Sequence, residues 1–174
     1  MTQYIAFLRA INVGGTKLIK MDQLRKTFES FGLASVQTYI QTGNVIFEAK
    51  AKNTPLFESK LEKQLEVALG YRVEVFVRSM DQLADIVAQD HFEPQPEDTL
   101  HVVFLREKPP KAQVDILKKY NSSADEFTVR GREVYNLRHD RDTSVFSNNF
   151  IEKIFGVATT RNMTTLKKIF EKYG

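Results

Sequence analysis

Cysteine is absent from the 174 residues, so the chain has no disulfide framework, no thiolate nucleophile and no cysteine metal site. That absence suits an intracellular compartment, and a cytoplasmic location is expected. No apolar run approaches the roughly 20 residues that a membrane-crossing helix needs, so no membrane partner is expected. The opening MTQYIAFLRAINVGG lacks a basic start followed by a long apolar stretch, which argues against a signal peptide. His91, His101 and His139 lie apart, with no H-E-x-x-H and no close ligand pair. Neither a metal nor a cofactor is therefore expected. The phosphate-loop patterns G-x-G-x-x-G and G-x-x-x-x-G-K-[ST] are missing, as is the G-x-S-x-G nucleophile elbow.

Charge of one sign is missing locally. Ser79 to Thr99 holds six acids (Asp81, Asp85, Asp90, Glu93, Glu97 and Asp98) and no Lys or Arg. The net charge is +3, so the rest of the chain carries +3 + 6 = +9. A mild basic excess invites phosphate-bearing partners, and it also serves solubility. Apolar residues make up 42% and include 13 Phe, enough to bury a core without staples.

Tyr4 to Arg9 is β-prone and reads as a strand. Asn12 to Lys17 must be a loop, because Gly14-Gly15 frees the backbone for positive φ. Met21, Leu24, Phe28 and Phe31 recur at helical spacing and predict a helix over 21–31. Ser35 to Gln41 alternates as a strand, and Thr42-Gly43-Asn44 signals a hairpin into the next strand at Val45. Thr54-Pro55 opens a second helix with Phe57, Leu61 and Leu65 inward. Arg72 to Arg78 completes a β-α-β-β-α-β order, the ferredoxin-like unit, with one sheet face left free. Ser79 to Gln82 has a capping-box pattern and opens a third helix. His91 to Asp98, with Pro94 and Pro96, reads as a linker.

The second half offers a strand at Leu100–Arg106, a helix after Pro109-Pro110 and a hairpin around Arg130-Gly131-Arg132. A helix over Val145–Phe155 follows, and then a last helix capped by Thr159–Asn162. The expected order is β-α-β-β-α-α. The fold class is thus α+β: two ferredoxin-like (βαββα-type) halves with antiparallel or mixed sheets and helices packed on them. The expected segments are 1–78, an acidic helix and linker over 79–99, and 100–174, packed as one compact unit. Pairing of the sheets edge to edge or through their open faces is left open.

The run Tyr4-Ile5-Ala6-Phe7-Leu8-Arg9-Ala10-Ile11-Asn12-Val13-Gly14-Gly15 continues with Ile19-Lys20-Met21, Leu24 and Thr38-Tyr39-Ile40-Gln41-Thr42-Gly43-Asn44-Val45. With Ile151-Glu152-Lys153, Gly156 and Ala158-Thr159-Thr160-Arg161-Asn162, it resembles the bacterial family called domain of unknown function 1697. Departures from the family pattern are Met163, where Trp is common, and Ser144-Val145, where Ser-Lys is often found. The resemblance implies an α+β cytosolic protein and supplies no mechanism.

Four clusters of residues offer chemistry. Arg9, Asn12, Gly14, Gly15, Lys17 and Lys20 surround a loop between a strand and a helix, where backbone N–H groups favour an anion; the plain alternative is a tight turn with solvated lysines. Thr159, Thr160, Arg161 and Asn162 are first of all capping residues, although Arg161 suits a bidentate contact to phosphate or to an internal carboxylate. If this segment meets the Gly-Gly loop, both serve one polar site. Tyr39, Gln41 and Asn44, on the outward side of the hairpin, suit base stacking by single-stranded RNA, without any matching RNA-binding signature. Arg138-His139-Asp140-Arg141-Asp142-Thr143-Ser144 holds His, Asp and Ser as neighbours, which makes a polar loop with a helix cap from Asp or Thr rather than a triad.

The favoured reading is a module binding a small anionic ligand, phosphate- or carboxylate-bearing, at the Gly-Gly loop near Arg161. An RNA- or DNA-binding protein and an enzyme of unrecognised type are the alternatives. Oligomeric state is left open.

Overall fold

Tyr4, Ala6 and Leu8 alternate with Ile5 and Phe7, and this period of two places apolar side chains on both faces of the first strand. The computed structural model describes residues 1–52 and 54–174. Two compact units are formed, Met1–Asp85 with Lys172–Gly174, and Ile86–Glu171. The division falls between residues 85 and 86, inside a helix and within the segment 79–99. Among the described residues no helix is long and apolar enough to cross a membrane.

The first unit runs β1 (Thr2–Leu8), α1 (Met21–Ser30), β2 (Ala34–Thr38), β3 (Asn44–Ala49), α2 (Thr54–Leu69) and β4 (Val75–Ser79), then α3 (Met80–Val87) across the division. Its sheet is antiparallel in the order β2-β3-β1-β4, the order of the ferredoxin-like unit. Tyr4, Ala6, Leu8, Val45, Phe47, Val75 and Val77 form one core with Leu24 and Phe28 of α1 and Leu61 and Leu65 of α2. Each fully buried Leu or Phe contributes roughly 2–3 kcal/mol. The opposite face was expected to be free, yet Ile5, Phe7, Ile46 and Phe76 on it are also fully buried. The alternation expected over Ser35–Gln41 fails: β2 ends at Thr38, Ser35 and Ile40 take positive φ, and the pairing of β2 with β3 slips between Ala34 and Gln37.

The second unit runs β5 (Thr99–Leu105), α4 (Lys111–Lys118), β6 (Asp125–Arg130), β7 (Glu133–Arg138), α5 (Asn148–Phe155), β8 (Ala158–Asn162) and α6 (Met163–Tyr173). Its sheet order, β6-β7-β5-β8, repeats the first. The expected β-α-β-β-α-α order is corrected here, because Ala158–Asn162 is a strand paired with β5 from Leu105↔Ala158 to His101↔Asn162. Local sequence offered caps, and pairing with a partner strand outweighs that preference. Only Asn162 keeps a capping role, its Oδ1 accepting from the Thr164 amide at 2.8 Å. Helix α5 also starts later than expected. Its cap is Ser147, which accepts from the Phe150 amide, and not an Asp or Thr of the preceding loop.

The halves share a residue pattern as well as an order. Arg78-Ser79-Met80 with Leu83 and Ile86 matches Arg161-Asn162-Met163 with Leu166 and Ile169. Both arginines are buried, and each Nη1 donates to the carbonyl of the preceding residue at 2.9 Å. The edge strands are sealed alike. Glu58 and Glu62 of α2 accept the amides of Val77 (2.7 Å) and Val75 (2.9 Å). Asn148 of α5 donates to Ala158 O (3.1 Å) and accepts from Thr160 Oγ1 (2.8 Å). Such bonds occupy edge groups that would otherwise template further pairing.

Candidate functional site

The chain leaves β1 between two segments. The Leu8 amide donates to Gly43 O and the Arg9 amide to Glu74 O, both at 2.9 Å. Ile11 then plugs the turn: a Cβ on Gly43 would lie 2.7 Å from Ile11 Cδ1, so only glycine fits beneath it. Ile19 is the second buried anchor. From Ala10 to Lys17 the backbone changes hand repeatedly, with positive φ at Ala10 (56°), Asn12 (54°), the adjacent pair Gly14 (59°) and Gly15 (76°), and Lys17 (48°). Non-glycine residues seldom adopt these values, and a cluster of them stores strain that the surroundings must hold.

Asn12 does much of the holding. Its Oδ1 accepts from the Ile19 amide (2.8 Å), and its Nδ2 donates to Ile19 O (3.1 Å) and Gln41 O (2.9 Å). Thr16 closes the tip by donating through N and Oγ1 to Val13 O. Lys17 Nζ donates to Arg72 O at 2.9 Å and lies over the Tyr71 ring. Arg9 pairs with Glu74 at 3.5 Å. Gly14 and Gly15 stand exposed at the tip, and an added Cβ would meet nothing within 4 Å at either. Neither amide bonds to another described residue. Lys20 is exposed and occupies the cap position of α1, which has no side-chain cap bond. It also lines a shallow groove of about 440 Å³ with Asp22, Gln23 and Lys26. Bulky apolar side chains flank the loop, with Val13 61%, Leu18 70% and Ile40 48% exposed.

Arg9, Asn12, Gly14, Gly15, Lys17 and Lys20 are therefore brought together in the first unit. Thr160, Arg161 and Asn162 belong to the second unit, where each has an internal role. Thr160 Oγ1 donates to Asn148 and Asn162 caps α6. Arg161 Nη1 donates to Thr159 Oγ1 (3.0 Å) and Thr160 O, and burial pushes its pKa down to about 10. Of the nucleic-acid candidates, Asn44 is fully buried and not outward. Its Nδ2 donates to Tyr39 O and Thr42 Oγ1, which fastens the turn. Tyr39 is half-buried against the Tyr173 ring, and Gln41 is exposed.

Two features escaped the sequence reading. One is a groove of about 530 Å³ in the first unit, lined by Phe31, Leu33, Lys50, Leu56, Phe57 and Lys60 among others and by none of the loop residues. The other is the histidine pattern of the second unit. His139 Nε2 lies 2.6 Å from Glu126 and its Nδ1 2.9 Å from Asp98, and these carboxylates hold its pKa above the ordinary value. His101 Nδ1 lies 3.2 Å from Asn136 Oδ1. Its partners are remote in sequence, and no motif spacing signals them.

The chain belongs to the family described as "Protein of unknown function (DUF1697)", whose model matches residues 1–135. A solved structure, described as a conserved bacterial protein from Streptococcus pneumoniae, is similar with a TM-score of 0.72 and 21% sequence identity. The match covers 98% of this chain and 97% of that one, and it shows the fold. No curated protein matches the sequence.

Proposed function

We propose that the protein binds a small anionic ligand, phosphate- or carboxylate-bearing, at the Gly-Gly loop of the first unit. The observation that carries this reading is the run of left-handed residues from Ala10 to Lys17, with Gly14 and Gly15 adjacent at its tip. A change of hand between neighbouring residues, as at Val13-Gly14 and Gly15-Thr16, turns successive N–H groups toward a common concavity, which suits an anion. The exposed amides of Gly14 and Gly15 are available to it, and Lys20 adds a cation beside the start of α1. The exposed Val13, Leu18 and Ile40 suit a ligand with an apolar part beyond its anionic group. Thr160, Arg161 and Asn162 are engaged within the second unit, so the proposal rests on the loop residues alone.

Competition binding tests it. A labelled nucleotide or phosphorylated small molecule should be displaced by inorganic phosphate, and Lys20→Ala should weaken binding by about 1 kcal/mol, roughly fivefold. Labelled single-stranded RNA that binds tightly, with steep salt dependence, and is not displaced by mononucleotides would support the nucleic-acid reading in its place.

A further inference from the structure

His101 lies on β5 two residues before Val103, and its ring stacks on Phe146 with centroids 4.8 Å apart. A buried relay decides which of its nitrogens carries the proton. Asp125 is fully buried. Its Oδ1 accepts from Asn136 Nδ2 (3.0 Å) and Ser144 Oγ (2.8 Å), and its Oδ2 from the Val145 amide (2.9 Å). A carboxylate only accepts, so Asn136 must turn its NH₂ toward Asp125 and its carbonyl Oδ1 toward His101. That oxygen also only accepts, so the hydrogen sits on His101 Nδ1 and the lone pair on Nε2. Nε2 bonds to no described residue and is not among the completely buried polar atoms that lack a bond, so its lone pair is uncommitted.

The other two histidines are in different states. His91 Nδ1 lies 3.4 Å from Arg130 Nη2, and a guanidinium only donates, so the hydrogen is on Nε2, which is buried. His139 is held between two carboxylates that favour its charged form. Burial pushes the pKa of His101 down, Arg138 and Arg141 push it the same way, and the Asn136 bond and Asp125 oppose them. Its imidazole is therefore neutral at pH 7. Arg138 packs its guanidinium over the same Phe146 ring (5.5 Å), steadied by bonds to Ser144 Oγ and Phe146 O. Thr99, which shares a face of β5 with His101 and pairs with Arg138, has a buried Oγ1 without a hydrogen-bond partner. An open base, a fixed cation and an unsatisfied hydroxyl thus converge at one end of the second sheet.

We propose that His101 Nε2 is the proton-accepting group of a second polar site, whose ligand is an oxyanion that also bears an acidic hydrogen, held by Arg138 with that hydrogen facing His101. This inference does not depend on the Gly-Gly loop. Asp125 and Asn136 act as positioning residues that fix the ring and its tautomer. Diethyl pyrocarbonate tests the proposal on the full wild-type chain. The reagent transfers an ethoxycarbonyl group to an imidazole lone pair and releases carbon dioxide and ethanol. Peptide mapping by mass spectrometry then reads each histidine separately. His101 should react on the order of tenfold faster than His91 and His139, because it alone offers an accessible lone pair. Sodium phosphate, which supplies an oxyanion with an O–H, should slow that reaction severalfold more than sodium chloride of equal ionic strength. Equal rates, or faster reaction at His91 or His139, would overturn the assignment of the base. Rapid reaction at His101 that phosphate slows no more than chloride would overturn the site.

Discussion

Gly14 and Gly43 both hold left-handed backbone, but their surroundings differ. An alanine at 43 would drive its Cβ into Ile11 Cδ1 at 2.7 Å, whereas an alanine at 14 would meet open space. Gly43→Ala should therefore destabilise by about 3 kcal/mol, strain and overpacking together, and Gly14→Ala by only about 1 kcal/mol. Urea titration of the two variants checks this contrast, and equal losses would contradict it. Asn12→Ala should cost about 2 kcal/mol, because it removes a clamp of three hydrogen bonds from a loop in left-handed conformation. His139 gives a pH dependence. Its pKa is raised above 6.5 first by the bond to Glu126 and then by Asp98. Its contribution is thus complete below the unfolded value and is lost as pH rises through the folded one. Asp98 is lowered below 3.8, first by the Gln95 amide, so its contribution is lost as pH falls. Wild type should lose more stability than His139→Ala when the pH is raised from about 6 to 9, measured by thermal unfolding at each pH. Parallel curves would count against this clasp.

At the scale of elements, helix spacing was legible because the buried faces of α1 and α2 follow a period that a sequence displays directly. The strand β8 was not legible. Thr and Asn are common helix caps, and only pairing with β5 makes an edge strand of Thr159, Thr160 and Asn162. The late start of α5 was hidden for a similar reason. Ser144 and Val145 bond to Asp125, some twenty residues earlier in the chain, which draws them away from the helix. Edge sealing was equally invisible, since Glu58 falls among apolar positions of α2 and looks like a break in its stripe. Glu58→Leu should cost about 2–4 kcal/mol, because the carboxylate bonds the Val77 amide and lies 4.0 Å from the buried Arg78. Ser147→Ala, which removes the α5 cap, should cost about 1 kcal/mol. Chemical denaturation of both variants would test the ranking, and a larger loss from the cap would contradict it.

For the molecule as a whole, the sequence carried the α+β class and the repeated ferredoxin-like order, since both follow from the sequence of strand and helix signals. The candidate loop was legible from Gly14-Gly15 between a strand and a helix. Its left-handed turns at Ala10 and Lys17 were not, because those residue types do not signal positive φ, and an Asn such as Asn12 permits positive φ without requiring it. The Asp125–Asn136–His101 relay was out of reach altogether, as it joins three strands across 35 positions of sequence from His101 to Asn136. The central claim is that the backbone of the Gly-Gly loop holds an anion. Its most direct test is a titration of the ¹⁵N-labelled protein with inorganic phosphate at constant ionic strength, following the amide signals of Gly14 and Gly15. Saturable shifts centred on Gly14, Gly15 and Lys17, and absent with chloride, are the expected result. Amide signals of Gly14 and Gly15 that stay fixed while phosphate rises into the millimolar range would contradict it.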